Sequence, residues 1–167
     1  MSPGAATLPD GTAGNAAPGL LVLKGTATAP APYRLRLRFD AVTEQWCTFG
    51  GLRVPADYAS APVAYVQFQM DTATTGSVVW GVQVAAVTPG DAVTVAAKPF
   101  AAVNTATVTV PGTAGYVGEA TIPLTNNDGM AAGDELVFRL ARVAADAADT
   151  AAGFAYVSAF AVAYTTS

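Results

Sequence analysis

Twelve carboxylates, eight basic side chains, one thiol and no imidazole are the groups with which this 167-residue chain could do chemistry. General acid–base catalysis needs two carboxyls held at a fixed separation with displaced pKa values. Here Asp71, Asp91, Asp128, Asp134, Asp146 and Asp149 fall in turn-like segments, where an aspartate accepts backbone hydrogen bonds and closes the turn. With Lys24 and Lys98 the only amine bases, a serine or threonine nucleophile has no relay to activate it. Cys47 lies beside Trp46 in an apolar run and reads as a buried, inert thiol. Being alone, it can form neither an intramolecular disulfide nor a thiolate metal site. Asn126-Asn127-Asp128-Gly129 has a calcium-loop composition but lacks the ligand alternation and terminal Glu, so it reads as a hairpin turn. Asp146 and Asp149 could together offer two oxygens to a hard cation. No glycine-rich phosphate loop joins a strand to a helix. The expectation is no catalytic residue, no cofactor and no metal.

Charge points the same way. The net charge is −4 and the isoelectric point about 4.5, which leaves no basic footprint for nucleic acid. Three of the six arginines nevertheless share one strand face, Arg34, Arg36 and Arg38. Such a face is either the solvated side of an edge strand, where charge discourages aberrant pairing, or a contact for an acidic partner, since guanidinium pairs bidentately with carboxylate.

The elements that must position these residues read as strands. Charged residues are 12% of the chain and hydrophobic ones 52%, against roughly a quarter charged in an ordinary soluble domain, so the chain is not disordered. Tyr33, Leu35, Leu37 and Phe39 alternate with the arginines at a period of two. Further strands are expected over 46–54, with a bulge at Gly50-Gly51, and over 63–70, 77–87, 92–96, 103–110, 116–124, 135–143 and 154–164. Pro89-Gly90-Asp91, Pro111-Gly112 and Gly133-Asp134 supply turns between them. Trp46, Phe68, Trp80, Phe138, Phe154 and Phe160 are the expected core anchors. Residues 1–32 stand apart, with five prolines and one apolar cluster, Leu20-Leu21-Val22-Leu23. Proline at that density interrupts ladders, so the segment reads as an extended N-terminal arm on a β-sandwich domain spanning 33–167. The fold expected is all-β, a jelly-roll-like antiparallel sandwich. The start of the chain lacks the pattern of a secretory signal, and no apolar run reaches the roughly 20 residues of a membrane helix.

From Phe39 to Tyr164 the sequence resembles a small jelly-roll module of tailed-bacteriophage virion proteins. The pieces that carry the resemblance are Phe39-Asp40-Ala41 with Glu44, Val54-Pro55-Ala56-Asp57-Tyr58, Thr75-Gly76-Ser77-Val78-Val79-Trp80, Pro111-Gly112-Thr113-Ala114-Gly115-Tyr116 and Ala131-Ala132-Gly133-Asp134 leading into Phe138-Arg139-Leu140-Ala141-Arg142. The loop after Arg142 departs from that pattern, being diluted with alanine. The resemblance implies a non-enzymatic capsid decoration (cement) protein on the virion surface, made in the host cytoplasm, forming a homotrimer and bridging subunits of the major capsid protein. The alternative is a tail-fibre or tip receptor-binding module that binds carbohydrate. Neither nucleic acid nor membrane is expected as a partner. The expected contacts are Leu20, Leu21, Val22 and Leu23 of the arm and the Arg34, Arg36 and Arg38 face, and a chain lacking residues 1–32 is expected still to fold.

Overall fold

The computed structural model describes residues 1–167, the side chain of Val95 excepted. Nine strands follow in order: β1 (Gly19–Lys24), β2 (Tyr33–Phe39), β3 (Gln45–Arg53), β4 (Tyr58–Met70), β5 (Ser77–Val87), β6 (Asn104–Thr109), β7 (Val117–Pro123), β8 (Glu135–Arg142) and β9 (Ala155–Thr166). They form two sheets, a five-stranded one in the order β1-β2-β9-β4-β7 and a four-stranded one in the order β3-β8-β5-β6. Each paired neighbour is antiparallel. From β2 onward the chain changes sheet at every connection except β5–β6. The fold is the expected jelly-roll-like β-sandwich. Among the described residues no helix is long and apolar enough to cross a membrane.

Alternation explains most of the strands. In β2 Leu37 and Phe39 are buried while Arg36 and Arg38 turn to the other face. β5, central in its sheet, is apolar on both faces and buried almost throughout. Two aromatic clusters join the sheets. Phe39 of β2 meets Trp80 of β5 edge-on at 5.3 Å, with Phe68 of β4 at 5.6 Å from the same indole. Phe160 of β9 stacks on Phe49 of β3 at 5.0 Å and meets Phe138 of β8 at 5.9 Å. The register of β3 on β8 shifts between Phe49 and Leu52, which is the expected bulge, with Gly51 at φ 70.

Several expectations are corrected. Residues 92–96 form no strand; Val95–Ala97 is a single 3₁₀ turn inside the long β5–β6 connection. The turn at Asn127-Asp128-Gly129-Met130, with φ positive at Asp128 and Gly129, does not close a hairpin, because β7 and β8 lie in different sheets. Trp46 and Phe154 are only half-buried and lie outside the core, under Arg139 and Arg38 respectively.

Residues 1–32, set apart above as an extended arm, contribute β1 to the larger sheet. Pro18 precedes β1, and Pro30 and Pro32 lie in the turn that follows it, so the prolines flank a strand instead of breaking it. All six residues of β1 pair with β2. Upstream, residues 1–17 strap the open side of the sandwich. Met1 exchanges backbone hydrogen bonds with Phe160 of the larger sheet. Thr7 exchanges two with Thr48 on the edge of β3, at 2.8 and 3.0 Å, and the Ala16 carbonyl accepts from Trp46 N–H at 3.0 Å.

Candidate functional site

Of the carboxylates expected to close turns, Asp134 accepts from Ala131 N–H at 2.8 Å and Asp146 from Ala148 N–H at 2.8 Å, while Asp128 and Asp149 reach other elements. Asp40, outside that set, accepts from the Val42 N–H at 2.7 Å. Asp128 accepts from Ala86 N–H at 2.8 Å and pairs with Lys98 at 3.0 Å. Both oxygens of Asp149 are taken by Arg142, so Asp146 and Asp149 do not converge on a cation. Among the described residues no three His, Cys, Asp or Glu side chains come together as metal ligands. Cys47 is fully buried, and desolvation pushes its thiol up to about 12, which keeps it protonated and inert.

What the fold does bring together is the set of arm and arginine contacts, as paired strands of one ribbon. Leu21 lies opposite Arg36 and Leu23 opposite Arg34, on the outer face of the larger sheet. Leu20 and Val22 lie opposite Leu37 and Leu35, on the face turned toward the core. Before Leu37 the ribbon does not pair with β9, and its inward side is only partly covered, by the Pro3–Ala5 turn at Leu35: Leu20 is 44%, Val22 60%, Tyr33 63% and Leu35 42% exposed. The arginines are not on an edge strand, because β1 covers β2.

Arg36 and Arg38 are held by aromatic rings from the far end of the sequence. The Arg36 guanidinium carbon sits 3.7 Å above the centre of the Tyr156 ring, and that of Arg38 4.5 Å from Phe154. Register causes this, since β2 pairs with β9 so that Arg38 lies beside Tyr156. The ion pairs among the described residues are Lys98–Asp128, Arg139–Glu44 and Arg142–Asp149, and none uses Arg34, Arg36 or Arg38. The Nε of Arg36 is buried without a hydrogen-bond partner. Next to it a groove of about 210 Å³ opens between the ribbon and the neighbouring strands, lined by Leu23, Pro32, Arg34, Arg36, Gln69 and Ser158.

The same face continues across β4 and β7. Gln69 lies between Tyr156 and Val117, Gln67 between Ala159 and Glu119, and Tyr65 between Ala161 and Thr121. Gln67 donates to Glu119 at 3.1 Å, and the Ser158 hydroxyl donates to the Gln67 carbonyl at 3.3 Å. Sequence reasoning reaches the arginines but misses Gln67, Gln69, Tyr156 and Ser158. Alternation in β4 and β9 signals that they face outward, but not that they face outward beside β2. A second groove, of about 300 Å³, lies at the strapped side and is lined chiefly by apolar groups, among them Met1, Leu52, Met130, Leu136 and Tyr164.

The fold and this face define a β-sandwich module with an open, polar sheet surface. No protein-family model matches the sequence, and no curated protein matches it. Solved structures with a similar fold include the CBM22-2 xylan-binding domain of Paenibacillus barcinonensis Xyn10C, with 13% identity, a TM-score of 0.49 and coverage of 98% of this chain and 93% of that one. Another is the carbohydrate-binding module CBM6cm-2 of Cellvibrio mixtus lichenase 5A, with 12% identity, a TM-score of 0.46 and coverage of 99% and 95%. The arabinose-bound MgGH51 α-L-arabinofuranosidase matches with 15% identity and a TM-score of 0.47, and the match covers 86% of this chain but only 21% of the enzyme. At these identities the likeness concerns the sandwich fold. The part of the virion-module resemblance that stands is likewise the β-sandwich itself.

Proposed function

We propose that the protein is a non-catalytic binding module that docks on carbohydrate through the outer face of its five-stranded sheet. The observation that carries this reading is the polar strip formed by Arg36, Ser158, Gln69, Gln67 and Glu119 across β2, β9, β4 and β7. Amide, guanidinium, hydroxyl and carboxylate groups held on a rigid sheet offer both donors and acceptors to the hydroxyls of a sugar. The half-exposed Tyr65 adds a flat apolar surface beside them. Catalysis is not part of the proposal, because most of the carboxylates are taken up by hydrogen bonds or ion pairs within the fold. In affinity electrophoresis against a panel of soluble polysaccharides, at least one should retard the protein. Gln67→Ala combined with Gln69→Ala should weaken that binding about thirtyfold, two lost hydrogen bonds being worth about 1 kcal/mol each. No retardation by any polysaccharide, or retardation untouched by the double substitution, would sink the reading.

One feature favours a second reading, attachment to a particle as a capsid decoration protein. The inward side of the ribbon exposes Leu20, Val22, Tyr33 and Leu35, and β1 is an edge strand with no charge before Lys24. An uncharged apolar edge is a site for pairing with another chain. On this reading the protein self-associates, as a trimer in the virion case, and bridges the major capsid protein. Sedimentation at rising concentration should then show oligomers that Val22→Lys dissolves. A monomer at every concentration, together with no copies on purified heads, would exclude it.

A further inference from the structure

We infer that the groove beside Arg36 is a carboxylate subsite, so that the carbohydrate this module binds carries uronate residues. The inference rests on the carbohydrate reading and names its ligand class. Its first support is the burial of Arg36 Nε without a partner. A buried donor left unpaired is destabilising by about 1–3 kcal/mol, and more for a charged group, and an acceptor carried by a ligand would relieve that. The second support is the charge distribution. Acids outnumber bases twelve to eight in the chain, yet among the described residues no acid pairs with Arg34, Arg36 or Arg38. Glu119, on the same face, lies three strands from β2 and holds Gln67.

Geometry selects a carboxylate. The Arg36 guanidinium lies over Tyr156, and Arg36 lines the groove. A planar carboxylate meets Nε and one terminal nitrogen through two parallel hydrogen bonds. Arg34 lines the same groove and adds a second positive charge, while Gln69 and Ser158 stand where they can meet the hydroxyls of the same ring. The stack on Tyr156 holds the Arg36 head in place before the ligand arrives, which lowers the ordering entropy of binding.

Calorimetric titration of the full chain with trigalacturonate and with its methyl ester tests this, because esterification removes the charge and leaves the rings. The acid should bind at least about tenfold tighter than the ester, a hydrogen bond to a charged group being worth about 1.5–3 kcal/mol. Arg36→Gln should remove that preference, and Arg36→Lys should restore only part of it, since an ammonium cannot make the fork. Equal affinity for acid and ester overturns the carboxylate subsite and leaves the carbohydrate reading standing. So does tighter binding of a sulfated but uronate-free oligosaccharide. If polysaccharides of every kind, acidic and neutral, fail to bind, both fall together. The acid–ester comparison needs no variant, so it remains decisive should Arg36→Gln fail to fold.

Discussion

Replacing Asp149 by Ala is expected to destabilise the fold by about 3–5 kcal/mol, the usual consequence of stripping the partner from a buried charge. Arg142 and Asp149 are 0% and 1% exposed. The pair is bidentate, with Nη2 donating to Oδ1 at 2.6 Å and Nε to Oδ2 at 3.0 Å. The rest of the guanidinium donates to the carbonyls of Ala151 at 2.6 Å and Gly153 at 2.8 Å, so the whole β8–β9 loop is wrapped around one cation. Asp149 also accepts from the Val79 N–H at 3.0 Å, which ties the loop to β5. Truncation at 149 leaves a desolvated cation with two carbonyls and no counter-charge. Typical domains are stable by only 5–15 kcal/mol, so the variant should unfold at a much lower urea midpoint. Arg142→Met combined with Asp149→Leu removes both charges and should be far milder than Asp149→Ala alone. If the single substitution is worth less than about 1 kcal/mol, water reaches the pair and the loop is not anchored by it.

Deleting residues 1–17 should be comparably damaging, at about 4–7 kcal/mol, counting about 0.5–1 kcal/mol for each backbone or side-chain hydrogen bond lost. The bonds are those of Met1 with Phe160, of Thr7 with Thr48 and of Ala16 with Trp46, together with the Gln45 amide to Ala17 at 3.0 Å and the Trp46 indole to Gly14 at 3.2 Å. The deletion also bares the edge of β3 and the flank of β9, and bared edges invite pairing between molecules. Thermal denaturation should therefore show a lower midpoint that depends on protein concentration. Taking the deletion on to residue 32 removes β1 as well, so the expectation that such a chain still folds is replaced by one of strong destabilisation. An unchanged midpoint for the shorter deletion would mean that the strap adds nothing to the sandwich.

Strand identity is largely legible in the amino-acid pattern. β2 and β5 occur with the bounds their patterns imply, 33–39 and 77–87, and the glycine pair at 50–51 does mark the bulge in β3. A period of two reports directly which side chains need burial, and that requirement is local. Residues 92–96 carry a similar apolar pattern but find no cross-strand partner, whereas Gly19–Lys24 does find one in spite of the prolines around it. Pairing is a property of two segments, so one segment's composition does not decide it.

Reach across the sandwich is not legible there. The seven residues singled out as contacts occupy two separate stretches of sequence, one in an apparent arm and one in a strand, yet they form a single ribbon. Arg36 owes its position to Tyr156, 120 residues away, and its groove to Gln69 on a third strand. Arg142 and Asp149 are only seven residues apart, but an alanine-rich loop discloses nothing about where it folds back. Alternation states which face of a strand turns outward. Which outward faces lie side by side follows from sheet order, and sheet order is settled only when the two apolar faces close on each other and exclude water.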